Sequence, residues 1–203
     1  MGKLIAKTAA VTIAAVIAAA LILFGAVGLI SPASLASFTD SLGMDGACAY
    51  YTVAAAERTG SAEDLALATE RSYLVGHYED AASCGERLLD DGGFAQYCAA
   101  QDAALAGDPS LAGTYEQYIT GVVSSSMYFV GRKDAALERA MFCLGGAFPE
   151  NNAVVYLGEA AVTAGDADFC SSIVARLNEY SLAEEGDASY LQEFIAYLEK
   201  VSR

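Results

Sequence analysis

The sequence is short of the residues on which most enzyme sites are built. It has one histidine, His77, which excludes H-E-x-x-H zinc sites and His-rich metal clusters. Its five cysteines, Cys48, Cys84, Cys98, Cys143 and Cys170, contain no C-x-x-C pair, and an odd number cannot all pair within one chain. A Cys–His nucleophile needs a thiolate within hydrogen-bond reach of an imidazole, whereas His77 and Cys84 on one helix stand about 10 Å apart along the axis. No D-x-D-x-D-G loop for calcium is present. The acidic pairs Glu63-Asp64, Glu79-Asp80, Asp90-Asp91 and Glu184-Glu185 fall near helix starts or loops, where carboxylates meet the helix dipole or face water. Neighbours on one chain do not give the separation across a cleft that glycoside hydrolysis requires. With no convergent nucleophile, base and oxyanion donors, the expectation is a protein that is not an enzyme and has no cofactor, no metal and no identifiable small-molecule substrate.

Positive charge is scarce as well. Eleven Lys and Arg stand against 26 Asp and Glu, for a net charge of −15. Lys3 and Lys7 are the only charges before Asp40, so the remainder of the chain is more acidic still. A field of that sign repels nucleic acid and anionic lipid headgroups and favours basic peptides or cations.

What is present begins with Thr8–Ile30, an uncharged apolar run. As a helix it would be roughly 34 Å long, enough to cross the hydrocarbon core of a bilayer. With Lys3 and Lys7 on its N-terminal side, the positive-inside rule places residues 1–30 as a cytoplasmic N-terminus and signal anchor at the cell membrane, single-pass, with the acidic domain outside. A cleaved secretory signal is the rival, with small residues at Ser34 and Ala36, but signal cores usually span about 7–15 residues and this run is longer. Met44-Asp45-Gly46-Ala47-Cys48 is no lipidation box, because Asp45 stands where an apolar residue is needed.

Beyond the run, Pro32 ends one helix and opens another. Residues 31–60 read as a membrane-proximal helical linker, with helices over Ala33–Leu42 and Cys48–Arg58 and breaks at Gly43, Gly46 and Gly60. From residue 61 to 203 helical runs alternate with glycine turns, with hardly any β-branched alternation. The spacing predicts helices at Ala62–Val75, Tyr78–Asp91 and Phe94–Ala106, then helices around turns at Gly131 and Gly165, and a terminal helix over Asp187–Arg203 covering the end of the stack. Gly131 and Gly165 lie 34 residues apart, and the segments around them align without a gap: Val123-Ser124 falls on Leu157-Gly158, Ala136 on Cys170, Ala140 on Val174 and Cys143 on Leu177.

A 34-residue helix-turn-helix unit with Leu157-Gly158 in its first helix, Gly165 at the turn, and Gly131, Ala136-Leu137 and Ala140 in the unit before resembles the tetratricopeptide repeat; Phe148-Pro149 sits near that pattern's closing proline. The resemblance spans Ala62 to Glu184. It implies a solenoid of antiparallel helical hairpins; joined to the apolar run, the expectation is an all-α chain, a single N-terminal transmembrane helix followed by a tetratricopeptide-like solenoid.

Twelve tyrosines and no tryptophan are spread through nearly every expected helix. Two readings fit them. Aromatics interlock stacked helices while leaving a hydroxyl in water, and tyrosine beside carboxylate also suits a groove for a ligand carrying Lys or Arg. Tyr118, Tyr128 and Tyr156 are the candidate partner-binding residues, for a protein or basic peptide held near the membrane. A structural subunit of a larger membrane or envelope assembly is the alternative. His77 reads as a turn residue at a helix junction.

Overall fold

The computed structural model describes residues 31–106, 113–144, 148, 152–180 and 188–201, with positions 12, 13, 16–19, 22 and 25–27. No strand occurs among the described residues, and from residue 31 onward they form ten α-helices: α1 Pro32–Ser41, α2 Asp45–Thr59, α3 Ala62–Leu74, α4 Tyr78–Leu89, α5 Phe94–Ala104, α6 Tyr115–Phe129, α7 Lys133–Phe142, α8 Ala153–Thr163, α9 Ala167–Asn178 and α10 Ala188–Val201. The all-α class and nearly all the expected boundaries hold to within a few residues. Among the described residues no helix is long and apolar enough to cross a membrane, and most of the expected span Thr8–Ile30 lies outside them.

Polar side chains start the helices where the sequence offers them. Ser61 Oγ accepts from the Asp64 amide at 3.2 Å, Thr114 Oγ1 from Gln117 at 3.3 Å and Asn152 Oδ1 from Val154 and Val155 at 2.9 and 3.0 Å. Each satisfies amides that a helix start leaves unpaired. Arginine stands in the last turn of five helices, at Arg58, Arg71, Arg87, Arg139 and Arg176, where it complements the negative end of the dipole.

Three turns are built alike. Gly76, Gly131 and Gly165 take φ of 79°, 84° and 68°, a conformation that costs glycine nothing. At each, the glycine amide bonds three residues back and the next amide five back: His77 to Ser72, Arg132 to Met127 and Asp166 to Ala161, at 2.8, 2.8 and 3.0 Å. This double closure caps both last carbonyls and turns the chain directly into the next helix. It makes hairpins of α3–α4, α6–α7 and α8–α9, and places His77 in a turn. The α1–α2 connection departs from expectation: Gly43 alone makes the turn, at φ 66°, while Gly46 lies in the first turn of α2. Within residues 31–60, read as a helical linker, both expected helices are present, and Ala56 of α2 is buried in one core with Leu65, Ala66, Cys84 and Leu88.

The first helices of the hairpins pack in series, α3 against α6 and α6 against α8, with α4 wedged against α6 and α10 closing α8 and α9. Helix α6 is the centre. Ile119 to Tyr128 are buried without interruption, and α6 supplies Ile119 to one core and Val123, Met127 and Tyr128 to the other. A helix buried all round carries no charged face, and none exists between Glu116 and Arg132. Its small residues set how near its neighbours come. A Cβ on Gly121 would lie 2.6 Å from the Tyr156 ring, and one on Gly158 of α8 would lie 2.5 Å from Phe194 of α10.

The cysteines behave as small core residues: all five are free, and Cys48, Cys84, Cys98 and Cys170 are buried. No bridge joins Cys84 and Cys98, although both lie in the same core. Burial pushes the Cys84 thiol up to about 11 and that of Cys98 to about 12, which suppresses the reactive thiolate.

Gly121→Ala is expected to destabilise the protein by about 1–3 kcal/mol through overpacking against Tyr156. Ser124→Ala should be neutral or stabilising, since the Ser124 hydroxyl is buried without a hydrogen-bond partner. Urea unfolding of both variants checks the pair. In native protein at pH 8, a thiol reagent should label slowly at every cysteine, and rapidly at all five only after denaturation.

Candidate functional site

Each first helix contributes a pair of residues three apart, which places both on one side of the helix. These are Glu70 and Tyr73 on α3, Tyr115 and Tyr118 on α6, and Tyr156 and Glu159 on α8. Helix packing brings the pairs together. Tyr118 and Tyr156 meet edge to face, with ring centroids 5.8 Å apart at 70°. Tyr115 lies 5.8 Å from Tyr118, and Tyr97 of α5 lies 5.7 Å from Tyr115 at 78°, so four rings form a continuous row. Tyr73 and Glu159 lie close enough to act electrostatically on Tyr156. All five rings on this face are half-buried, their bodies against the core and their edges toward solvent.

Glu70 is the polar centre of the row. Its Oε1 accepts the Tyr115 hydroxyl at 2.9 Å. Burial raises its pKa above the usual carboxylate range, against smaller opposing effects from the Tyr115 hydrogen bond and Arg71. Arg71 is directed to Asp40 instead, at 2.8 Å. The tyrosines are raised too: burial pushes up Tyr115, with the Glu70 charge and Tyr97 adding to it, and burial pushes up Tyr118 with Glu70 adding. All stay protonated at neutral pH, so the face holds hydroxyl donors, ring edges and faces, and carboxylates. Ring faces and carboxylates of this kind attract cations.

The three candidate tyrosines separate. Tyr118 and Tyr156 are in contact on this face. Tyr128 is 5% exposed, ten residues along α6 from Tyr118, and stacks on Phe169 with centroids 5.0 Å apart. Its hydroxyl donates to Asp166 Oδ2 at 3.0 Å, and the Lys133 ammonium binds the same carboxylate while lying 5.4 Å from the Tyr128 centroid. Tyr128 therefore joins the α6–α7 and α8–α9 hairpins and is closed to a partner. Sequence reading missed both Glu70 and Gln117. Buried Gln117 donates through Nε2 to the Cys143 carbonyl at 2.6 Å and accepts the Ala153 amide through Oε1 at 3.0 Å, tying the end of α7 and the start of α8 to α6. For Gln117, the signal available was its place on an otherwise apolar helix.

A groove of about 140 Å³ between α1, α2 and α3 has an apolar lining of Ala36, Cys48, Ala55 and Leu67 beside the Asp40–Arg71 pair. It is well below the several hundred Å³ of ordinary ligand pockets. No group of His, Cys, Asp or Glu able to hold a metal occurs among the described residues. No protein-family model, curated protein or solved structure matches the chain.

Two carboxylates set opposite pH dependences. Hydrogen bonding from Lys133, then from the Phe169 amide and Tyr128, holds Asp166 below its ordinary value of 3.8. Its stabilisation is complete above that value and is lost as pH falls through the depressed one. Glu70 is raised, so it is costlier charged in the folded protein, and stability falls as pH rises from the unfolded glutamate value through the folded one. Asp166→Asn should cost about 1–3 kcal/mol at pH 7 and flatten the acid limb of the stability curve. Glu70→Gln should raise stability at pH 7 and leave it unchanged below pH 4. Thermal denaturation from pH 2 to 8 checks both.

Proposed function

We propose that the protein is a membrane-anchored extracytoplasmic scaffold of tetratricopeptide-like helical hairpins, which binds a basic protein or peptide along the face made by α3, α6 and α8. The observation that carries this reading is the convergence of Tyr73, Tyr115, Tyr118 and Tyr156 with Glu70 and Glu159 on the first helices of three successive hairpins. The repeated turn geometry at Gly131 and Gly165, 34 residues apart, supports the tetratricopeptide-like reading. First helices line the concave side of such a solenoid. The excess of negative charge favours a basic occupant over nucleic acid.

The anchor has its own support. Ile13, Val16, Ile17, Ile22 and Val27 are all more than 40% exposed, so the helical body leaves these apolar side chains uncovered. The Ser31 amide, at the start of α1, bonds to the Val27 carbonyl at 2.7 Å. In this reading the body is held close to the bilayer. The structural-subunit reading is favoured by Phe142 and Leu74, 89% and 75% exposed, which suit burial in a larger assembly.

Partner retention at 50 and 500 mM salt separates the two. A face of carboxylate and tyrosine should release its partner at high salt, because exposed charges are screened beyond roughly 10 Å at 0.1 M. Tyr118→Ala and Tyr156→Ala should each weaken binding about tenfold, while Phe142→Ser should not. Salt-insensitive retention abolished by Phe142→Ser supports the assembly reading and contradicts the proposal. Recovery of the intact chain in the soluble fraction of detergent-free lysate would contradict the anchor.

A further inference from the structure

We infer that Glu70, walled by Tyr97, Tyr115 and Tyr118, is a subsite for the ammonium group of one lysine side chain of the partner. The inference rests on the binding face proposed above and names the chemistry of one position on it. Three rings stand at 78° and 55° to one another in sequence, with centroids 5.7 and 5.8 Å apart, so they present edges and faces around Glu70 rather than a flat stack. A cation set against such rings is attracted by their negative faces, and more strongly where water is displaced.

The charge around Glu70 is unbalanced. Among the described residues no ion pair reaches it, and Arg71 on its own helix is engaged with Asp40 at 2.8 Å. The other ionisable groups acting on this row are acidic, phenolic or thiol: Glu63 of α3 and Cys98 of α5 on Tyr97, and Tyr73 of α3 and Tyr156 of α8 on Tyr118. Asp102 of α5 faces the same corner, its Oδ1 accepting the Tyr115 backbone amide at 2.7 Å. A half-buried carboxylate hydrogen-bonded to a phenol, with its neighbouring arginine engaged elsewhere, is costly, and an incoming cation relieves that cost.

Lysine fits better than arginine here. Oε1 of Glu70 already takes the Tyr115 hydroxyl. A guanidinium gains most when its planar fork meets both oxygens, whereas an ammonium is a point charge that needs one. Oε2 is the acceptor that remains.

The test uses the full-length protein in neutral detergent, with n-butylammonium as the probe and the Glu70 side-chain carboxyl followed by NMR. Saturable n-butylammonium binding that lowers the Glu70 titration midpoint is expected. Binding should weaken at least tenfold in Glu70→Gln and several-fold in Tyr115→Phe, both checked for folding by circular dichroism. An equal response to n-butanol, unchanged binding in Glu70→Gln, or tighter binding of n-butylguanidinium would overturn the assignment. Tetralysine peptide separates this claim from the wider one. If tetralysine binds wild type and Glu70→Gln equally but is lost in Tyr156→Ala, the face stands and the subsite is wrong. If n-butylammonium binds at Glu70 while tetralysine does not bind, the subsite stands and the face is wrong.

Discussion

Ten consecutive buried residues, Ile119 to Tyr128, are the constraint on which the rest of the structure depends. A helix surrounded on all sides admits no charge and little bulk, and α6 meets that condition with Gly121, Ser124, Ser125 and Ser126 among larger apolar residues. Small residues bring the backbones of α6 and α8 close enough for Tyr156 to lie over Gly121. Closeness then determines the face, because Tyr118 and Tyr156 touch only where the two helices nearly do. The buried hydroxyls of Ser72 and Ser124 lack partners, a cost of about 1–3 kcal/mol each that a close helix contact offsets.

Much of the fold was legible because its signals are local. A glycine that must take positive φ, a capping Ser, Thr, Asn or Asp, and an arginine in a last turn each act within a few residues. Hence Gly60, Gly76, Gly131 and Gly165 marked their turns correctly. Gly46 misled because glycine inside a first helical turn costs only about 1 kcal/mol and does not force a break. The packing of α2 was hidden for a different reason: what recruits it to the core is the burial of small residues such as Ala56, which carry no strong periodic signal. The stretch between Glu116 and Arg132 carries no charge, and the meaning of that emerges only from what surrounds it.

The pairing of tyrosine with carboxylate was legible in the sequence, but the positions that pair were not. Tyrosine beside carboxylate pointed to cation binding, and Tyr118 with Tyr156 proved to be neighbours. Tyr128 differs because Asp166 and Lys133, more than thirty residues further on and five residues on respectively, converge over its ring and hydroxyl. No spacing rule relates those three residues. Glu70 was hidden for the same reason: in sequence it is one acidic residue beside Arg71, and only the packing of α1 and α6 engages that cation with Asp40 and sets Glu70 against Tyr115.

Native-state hydrogen exchange of the α6 amides tests this account most directly. If α6 is the element around which the hairpins assemble, the amides from Val122 to Met127 exchange only through global unfolding, with the same free energy as urea denaturation, and α1, α5 and α10 open earlier. Exchange of those α6 amides through local opening, while α4 or α8 remains protected, would contradict it.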